Sequence, residues 1–202
     1  MIIECIPTGM YGSNCYIAGD NGEGIIIDAG VGARDIMAVV EKNNLKIKYI
    51  ILTHAHIDHI CQVDEVREKT GAKVLIHEND SPKLTNPVLN GSILFGSADS
   101  YKPADSVVHD GDELEAGGIK FEIIHTPGHS SGSICIKTGN VIFTGDTLFN
   151  RGIGRTDLGD GDMGTILDSI SKKLMRYSDD TVVYPGHGAS TTIGAERGRF
   201  NY

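Results

Sequence analysis

No apolar run in this sequence approaches the roughly 18 residues that a membrane-spanning helix requires. The N-terminus, MIIECIPTGM, also lacks a basic segment leading into a long apolar one. No membrane partner is therefore expected, and a cytoplasmic location is. Lysine and arginine form no run, and 18 of them against 27 acidic residues leave a net charge of −9. Long-range repulsion then argues against a nucleic-acid backbone or an anionic membrane surface as partner. Cysteine is scarce as well. Cys5, Cys15, Cys61 and Cys135 are widely spaced, without a CxxC pair of zinc-knuckle or redox type, so free thiols in a reducing compartment are expected. Short repeats, low-complexity tracts and Pro-rich or charged linkers are missing too, and the 202 residues are expected to form one domain, 1–202.

Glycine is abundant, with 26 residues, which points to many turns and many short strands. From Met1 to about Asp28 the pattern is strand, turn, strand, turn, strand, an expected antiparallel meander. The segment ARDIMAVVEKNN spaces Ile36, Val39 and Val40 at helical intervals and ends in asparagines, so a helix should cover that sheet. KIKYIILT then reads as a buried strand that runs directly into HAHIDH. A helix from about Cys61 to Lys69 and a strand in AKVLIH follow. The stretch from Glu78 to Asp105 has little periodicity, and a loop of that length is either functional or disordered. Strand signals return in VVHDGDELEAGGIKFEIIH, SICIKTG and NVIFTGD. A helix from Met163 to Arg176 carries Ile166, Ile170 and Leu174 on one face, and TVVYPGHG closes as strand and loop. Two such halves imply an α/β (α+β) chain with two β-sheets packed face to face and helices outside, an αββα sandwich.

Candidate chemistry concentrates in THAHIDH, Thr53 to His59. Neutral imidazole suits a borderline cation such as zinc, and aspartate adds an anionic oxygen, so HxHxDH offers four donors from one short segment. On an extended backbone alternate residues share a face, which groups His54, His56 and Asp58 and turns His59 elsewhere. One segment can thereby serve two adjacent cations, with His54 and His56 on one and Asp58 and His59 on the other. Three more donors stand at strand-to-loop junctions downstream: His129 in EIIHTPGHS, Asp146 in VIFTGDTLF and His187 in TVVYPGHG. With Asp146 shared, positions remain open for water or substrate, as in a catalytic rather than a structural site.

THAHIDH, TPGHS, GDTLF and YPGHG, in this order and at these intervals, resemble the metallo-β-lactamase-fold hydrolases. GDTLFNRGIGRTDL is similar to short, single-domain relatives of hydroxyacylglutathione hydrolase (glyoxalase II), and the resemblance covers nearly the whole chain. It implies a metallo-β-lactamase fold with mixed sheets and two divalent metal ions, zinc foremost, with iron or manganese compatible with the same donors. Position by position, it implies His54, His56 and His129 on the first ion and Asp58, His59 and His187 on the second, with Asp146 bridging. The activity implied is hydrolysis of a small thioester by a hydroxide shared between the ions, aimed by Asp58 as the catalytic carboxylate. A persulfide dioxygenase with a single iron and a lactone hydrolase are the alternatives.

Two departures stand out. The family commonly continues its histidine motif with two glycines, where Cys61 and Gln62 follow Ile60 here. Cys61 is expected as a buried helix residue, with a redox-sensitive thiol beside the metals as the other reading. Full-length relatives also carry a C-terminal helical domain that grips glutathione, and the sequence ends at Tyr202, about where that domain begins, which leaves glutathione unsupported as the recognition element.

Arg155, in GIGRTD, stands where the family uses a basic residue to hold the thiol carrier; a surface pair with Asp157 is the competing reading. His77, His109 and His125 are not expected as ligands. Asp28, in IIIDAG, either orients a ligand histidine or caps a turn or helix. Tyr11, Phe95, Tyr101 and Phe149 are aromatic candidates for the pocket wall, with core or lid positions as the default.

Overall fold

In the computed structural model, which describes residues 1–200, the expected meander forms: β1 (Ile2–Ile6), β2 (Cys15–Asp20) and β3 (Glu23–Ile27) pair antiparallel in sequence order. Helix α1 (Ala33–Lys42) follows, and beyond it Asn44 takes a left-handed turn into β4 (Lys46–Ile51), which lies parallel to β3. Next come the one-turn helix α2 (Ile57–Ile60), helix α3 (Val63–Thr70), β5 (Lys73–His77) and β6 (Ser106–Val108). Strands β5 and β6 extend the sheet in parallel, giving six strands in the order β1 to β6.

The second half contains β7 (Glu113–Ala116), β8 (Ile119–His125), β9 (Ile134–Thr138) and β10 (Val141–Gly145), followed by a ribbon of β11 (Leu148–Phe149) and β12 (Gly152–Ile153). Helix α4 (Met163–Ser169), β13 (Val182–Pro185), β14 (Thr191–Thr192) and helix α5 (Ile193–Phe200) complete it. The second sheet runs β14-β13-β10-β9-β8-β7, with β10 and β13 parallel and its other neighbours antiparallel.

Three apolar layers make this a four-layer sandwich. Between the sheets, Ile25, Ile27 and Ile51 meet Phe121, Ile123, Ile136 and Phe143. On the outer face of the first sheet, Ile36 and Val40 of α1 and Val63 and Val66 of α3 cover Ile17, Ile26 and Ile50. On the outer face of the second, Ile166, Ile170 and Leu174 pack with Ile142 and Val183. Both sheets are mixed, as expected, and alternation along each strand supplies the inner and outer layers.

The helix expected from about Cys61 to Lys69 forms as α3, starting at Val63, and Cys61 lies just before it. What the sequence did not announce is the one-turn α2 ahead of it, where Ile57 and Ile60, three residues apart, both drop into the interior. The alternation argument therefore holds through His56 and fails at Asp58, which stands on a helical turn. The helix expected from Met163 to Arg176 changes after Ser169 into a π-type segment, Ile170–Leu174, although its apolar stripe is buried as expected. Helix α5, the ribbon and β14 were not anticipated, since IGAERGRF has two glycines and weak periodicity. From Glu78 to Asp105 the chain is ordered by single 3₁₀ turns at Ser81–Lys83 and Ser92–Phe95.

Candidate metal centre

Strands β8, β10 and β13 run in the same direction, so their C-terminal ends leave the second sheet at one edge. His129, Asp146 and His187 follow those ends, while His54 and His56 follow β4. The seven expected donors converge there. Their potential ligand atoms fall into three overlapping groups, His54–His56–His129, His54–His59–Asp146 and Asp58–His59–His187, each within 4.8 Å.

Within the first group His129 Nε2 lies 2.9 Å from His56 Nδ1 and 3.2 Å from His54 Nε2. In the other half His59 Nε2 lies 3.2 Å from His187 Nε2 and 3.4 Å from Asp58 Oδ2, and His187 Nε2 lies 3.1 Å from Asp58 Oδ2. Asp146 spans both: its Oδ2 is 3.6 Å from His129 Nε2 and 3.5 Å from His187 Nε2, and its Oδ1 is 3.4 Å from His59 Nε2.

The far side of three rings is already committed. His54 Nδ1 donates to Thr53 Oγ1 (3.0 Å), His59 Nδ1 to Asp28 Oδ2 (3.0 Å) and His129 Nδ1 to the Arg155 carbonyl (2.7 Å). These bonds set the tautomers and aim the Nε2 lone pairs at one another. Facing lone pairs and a buried Asp146 Oδ1 without a hydrogen-bond partner are what a shared cation would satisfy, so the residues fit divalent metal ions. Gly186 completes the fit, since a Cβ there would overlap Asp146 Oδ1.

Protonation divides the cluster the same way. Burial pushes His54 well below the usual imidazole range and His56 and His129 down to about 4, so all three offer lone pairs at neutral pH. Burial opposes charge at His59 and His187 too, but Asp146 and Asp58 outweigh it and raise both. Asp58, despite its burial, is held below the usual carboxylate range by His59 and His187, whereas burial raises Asp146.

Asp28 proves to be a positioning residue, not a helix cap. It sits at φ +58°, accepts from Thr53 N and Thr53 Oγ1 (2.7 Å each), and holds His59. Asp80 went unrecognised in the sequence. Fully buried, it accepts from Ala55 N (2.9 Å), Ser130 Oγ (2.9 Å) and Gly132 N (2.9 Å), and pairs with buried Lys83 at 2.7 Å. It thereby ties the segment of His54 and His56 to that of His129. The available signal was an aspartate three residues past a strand, the junction context that marked the other donors.

The remaining candidates separate clearly. Arg155 lines the cleft, but its guanidinium is held by Asp157 at 2.7 and 2.9 Å. Cys61 is half-buried at the turn after α2, not within a helix, and its Sγ donates to the Gly30 carbonyl at 3.2 Å. Burial pushes its thiol up, which disfavours a reactive thiolate. His77 and His125 stack on each other, with centroids 3.9 Å apart, away from the cluster. Tyr101 packs on the outer apolar layer and Phe149 meets His187 edge-on, while Tyr11 and Phe95 line the mouth. A cleft of about 270 Å³ opens over the cluster, with His56, Asp58, His129, Asp146 and His187 on its floor. Among the described residues no helix is long and apolar enough to cross a membrane.

Residues 8–187 match the family described as the Metallo-beta-lactamase superfamily. The probable metallo-hydrolase YqgX of Bacillus subtilis is 38% identical over 95% of this chain and 92% of its own length. Hydroxyacylglutathione hydrolase GloC of Haemophilus influenzae is 35% identical over 98% and 95%. Among solved structures, BLEG-1 B3 metallo-beta-lactamase gives a TM-score of 0.94 at 37% identity and full coverage of both chains. TTHA1623, solved in a di-iron-bound form, gives 0.86 at 30% identity, covering 96% of each.

Proposed function

From membership of the metallo-beta-lactamase superfamily, to which this chain belongs, we propose that the protein is a binuclear metal-dependent hydrolase of small thioesters, acting in the cytoplasm. The observation that carries the reading is Asp146, one carboxylate within 3.6 Å of nitrogens from both halves of a seven-donor cluster at the floor of a cleft. His54, His56 and His129 would hold one ion and Asp58, His59 and His187 the other, with Asp146 shared and zinc the foremost candidate. Two such ions supply Lewis-acid polarisation of the scissile carbonyl and a hydroxide available at neutral pH.

The protein's own side chains do the rest. Asp58, kept ionised by His59 and His187, accepts a hydrogen bond from the attacking oxygen and aims it. Thr53, Asp28 and the Arg155 carbonyl fix the rings of His54, His59 and His129, so that these three donors are already oriented before the reaction. A thiol leaving group, with an intrinsic pKa of about 8.5, departs as thiolate without a general acid.

The likeness to GloC supports the thioester class, and that to BLEG-1 supports β-lactam hydrolysis as a second reading. Persulfide oxygenation at a single iron uses fewer ligands and leaves the group of Asp58, His59 and His187 without a purpose. A panel of thioesters, lactones, β-lactams and persulfides, assayed on protein of measured metal content, tests the proposal. Thioesters are expected to be turned over with the highest kcat/KM. Oxygen uptake with a persulfide, or lactams or lactones clearly preferred over every thioester, would displace it.

A further inference from the structure

The mouth of the cleft is apolar and exposed. Tyr11, Val88, Leu89, Leu94 and Phe95 stand around it, with Tyr11 65% and Leu94 64% accessible. Large apolar side chains gathered in one exposed patch cost solubility, and they persist where they bind something. Two loops distant in sequence make this patch together. The Tyr11 ring lies 4.8 Å from the Phe95 ring, on a backbone at φ +55° that bulky residues rarely adopt. Asn90, fully buried beneath the patch, seats the second loop: its carbonyl accepts from Ile57 N (2.9 Å), at the start of the helical turn that carries Asp58 and His59. The apolar wall is thus fixed to the metal centre itself.

Charge narrows the ligand further. Among the described residues lining the cleft, the one guanidinium or ammonium is Arg155, and Asp157 already occupies it in two hydrogen bonds. Asp160 adds a carboxylate to the wall. On the cleft wall a thiol carrier bearing free carboxylates would meet no cationic side chain but Arg155, already paired with Asp157, while an uncharged chain would be desolvated by Val88, Leu89, Leu94, Tyr11 and Phe95.

We infer that Tyr11, Val88, Leu89, Leu94 and Phe95 form a specificity subsite for an apolar, uncharged chain of a thioester whose scissile bond lies over the seven-donor cluster. The position of that bond rests on the thioesterase reading; the subsite itself rests on the apolar wall. The test is calorimetric binding, to the intact metal-loaded protein, of ketone analogues in which a methylene replaces the thioester sulfur. One series is lengthened from acetyl to octanoyl on the acyl side and a second on the thiol side.

Affinity should rise about two- to threefold per methylene in at least one series, from the free energy of burying a CH₂ in an open cleft. The series that responds shows which end of the substrate lies under the patch. Leu94→Asp and Phe95→Ser, both at exposed positions, should each flatten that slope while thermal unfolding stays as in the wild type. Flat affinity in both series overturns the inference, as does a slope that survives both substitutions. So does loss of self-association in Leu94→Asp with the slope unchanged, which would make the patch a contact between copies. Analogues that bind with the expected slope, alongside thioesters that are not hydrolysed, would uphold the subsite and sink the thioesterase reading. Thioester hydrolysis with chain-independent binding would do the reverse.

Discussion

Asp146→Ala should lower kcat/KM by on the order of 10³-fold or more, since a metal centre contributes several kcal/mol of transition-state stabilisation and each 1.36 kcal/mol is a factor of ten. Asp146 lies within 3.6 Å of nitrogens from both groups, facing His129 and His187 through Oδ2 and His59 through Oδ1. Without it the five histidines and Asp58 remain, but His59, His129 and His187 lose the carboxylate that all three face. Steady-state kinetics with metal analysis on the same preparation checks this. Asp146→Asn separates charge from shape: it fills the same space beside Gly186 and should be nearly as inactive. Wild-type turnover in either variant would remove the bridging role.

Asp80→Ala should destabilise the fold by about 3–5 kcal/mol, a value typical of breaking a buried ion pair. Three donors, Ala55 N, Ser130 Oγ and Gly132 N, would lose their acceptor, and buried Lys83 would keep only Asp160, 2.8 Å away and partly exposed. Urea unfolding with the wild-type slope and a lowered midpoint is the expected result. A loss under about 1 kcal/mol would show that water or Asp160 takes over the network. A companion substitution, Asp80→Asn, keeps one acceptor oxygen, enough for either Ala55 N or Gly132 N but not both, and should fall between the two.

Much of this site was legible because its donors stand where an apolar run gives way to a turn. KIKYIILT, FEIIH, VIFTG and TVVYP each announce a buried strand, and the residue that follows is fixed by the sheet it leaves. Asp28 was visible for the same reason, and orienting a ligand histidine was one of its two readings; the fold decides between them by bringing His59 against it across 31 residues of chain. Asp80 was missed since its partners come from two other segments, and a local pattern carries no information about such contacts.

Helical turns were harder to read than strands. The turn Ile57–Ile60 is too short for a period, so the alternation that groups His54 with His56 was carried one step too far, to Asp58. Helix α5 is anchored by buried Glu196, which accepts from Arg151 N and Thr191 Oγ1, as well as by Ile193 and Phe200 at its two ends, a pattern too sparse to read as a stripe. The exposure of Tyr11, Leu94 and Phe95 was equally hidden, because an apolar residue in a loop reads as core or lid until its neighbours are known.

The claim that two ions share this cluster for hydrolysis is tested most directly by the metal-to-protein ratio, measured alongside thioester turnover before and after chelation. Two divalent ions per chain, activity lost as they are stripped and regained when they are restored, is the expected result. One ion per chain at full activity, or thioester hydrolysis that survives complete removal of metal, would contradict it.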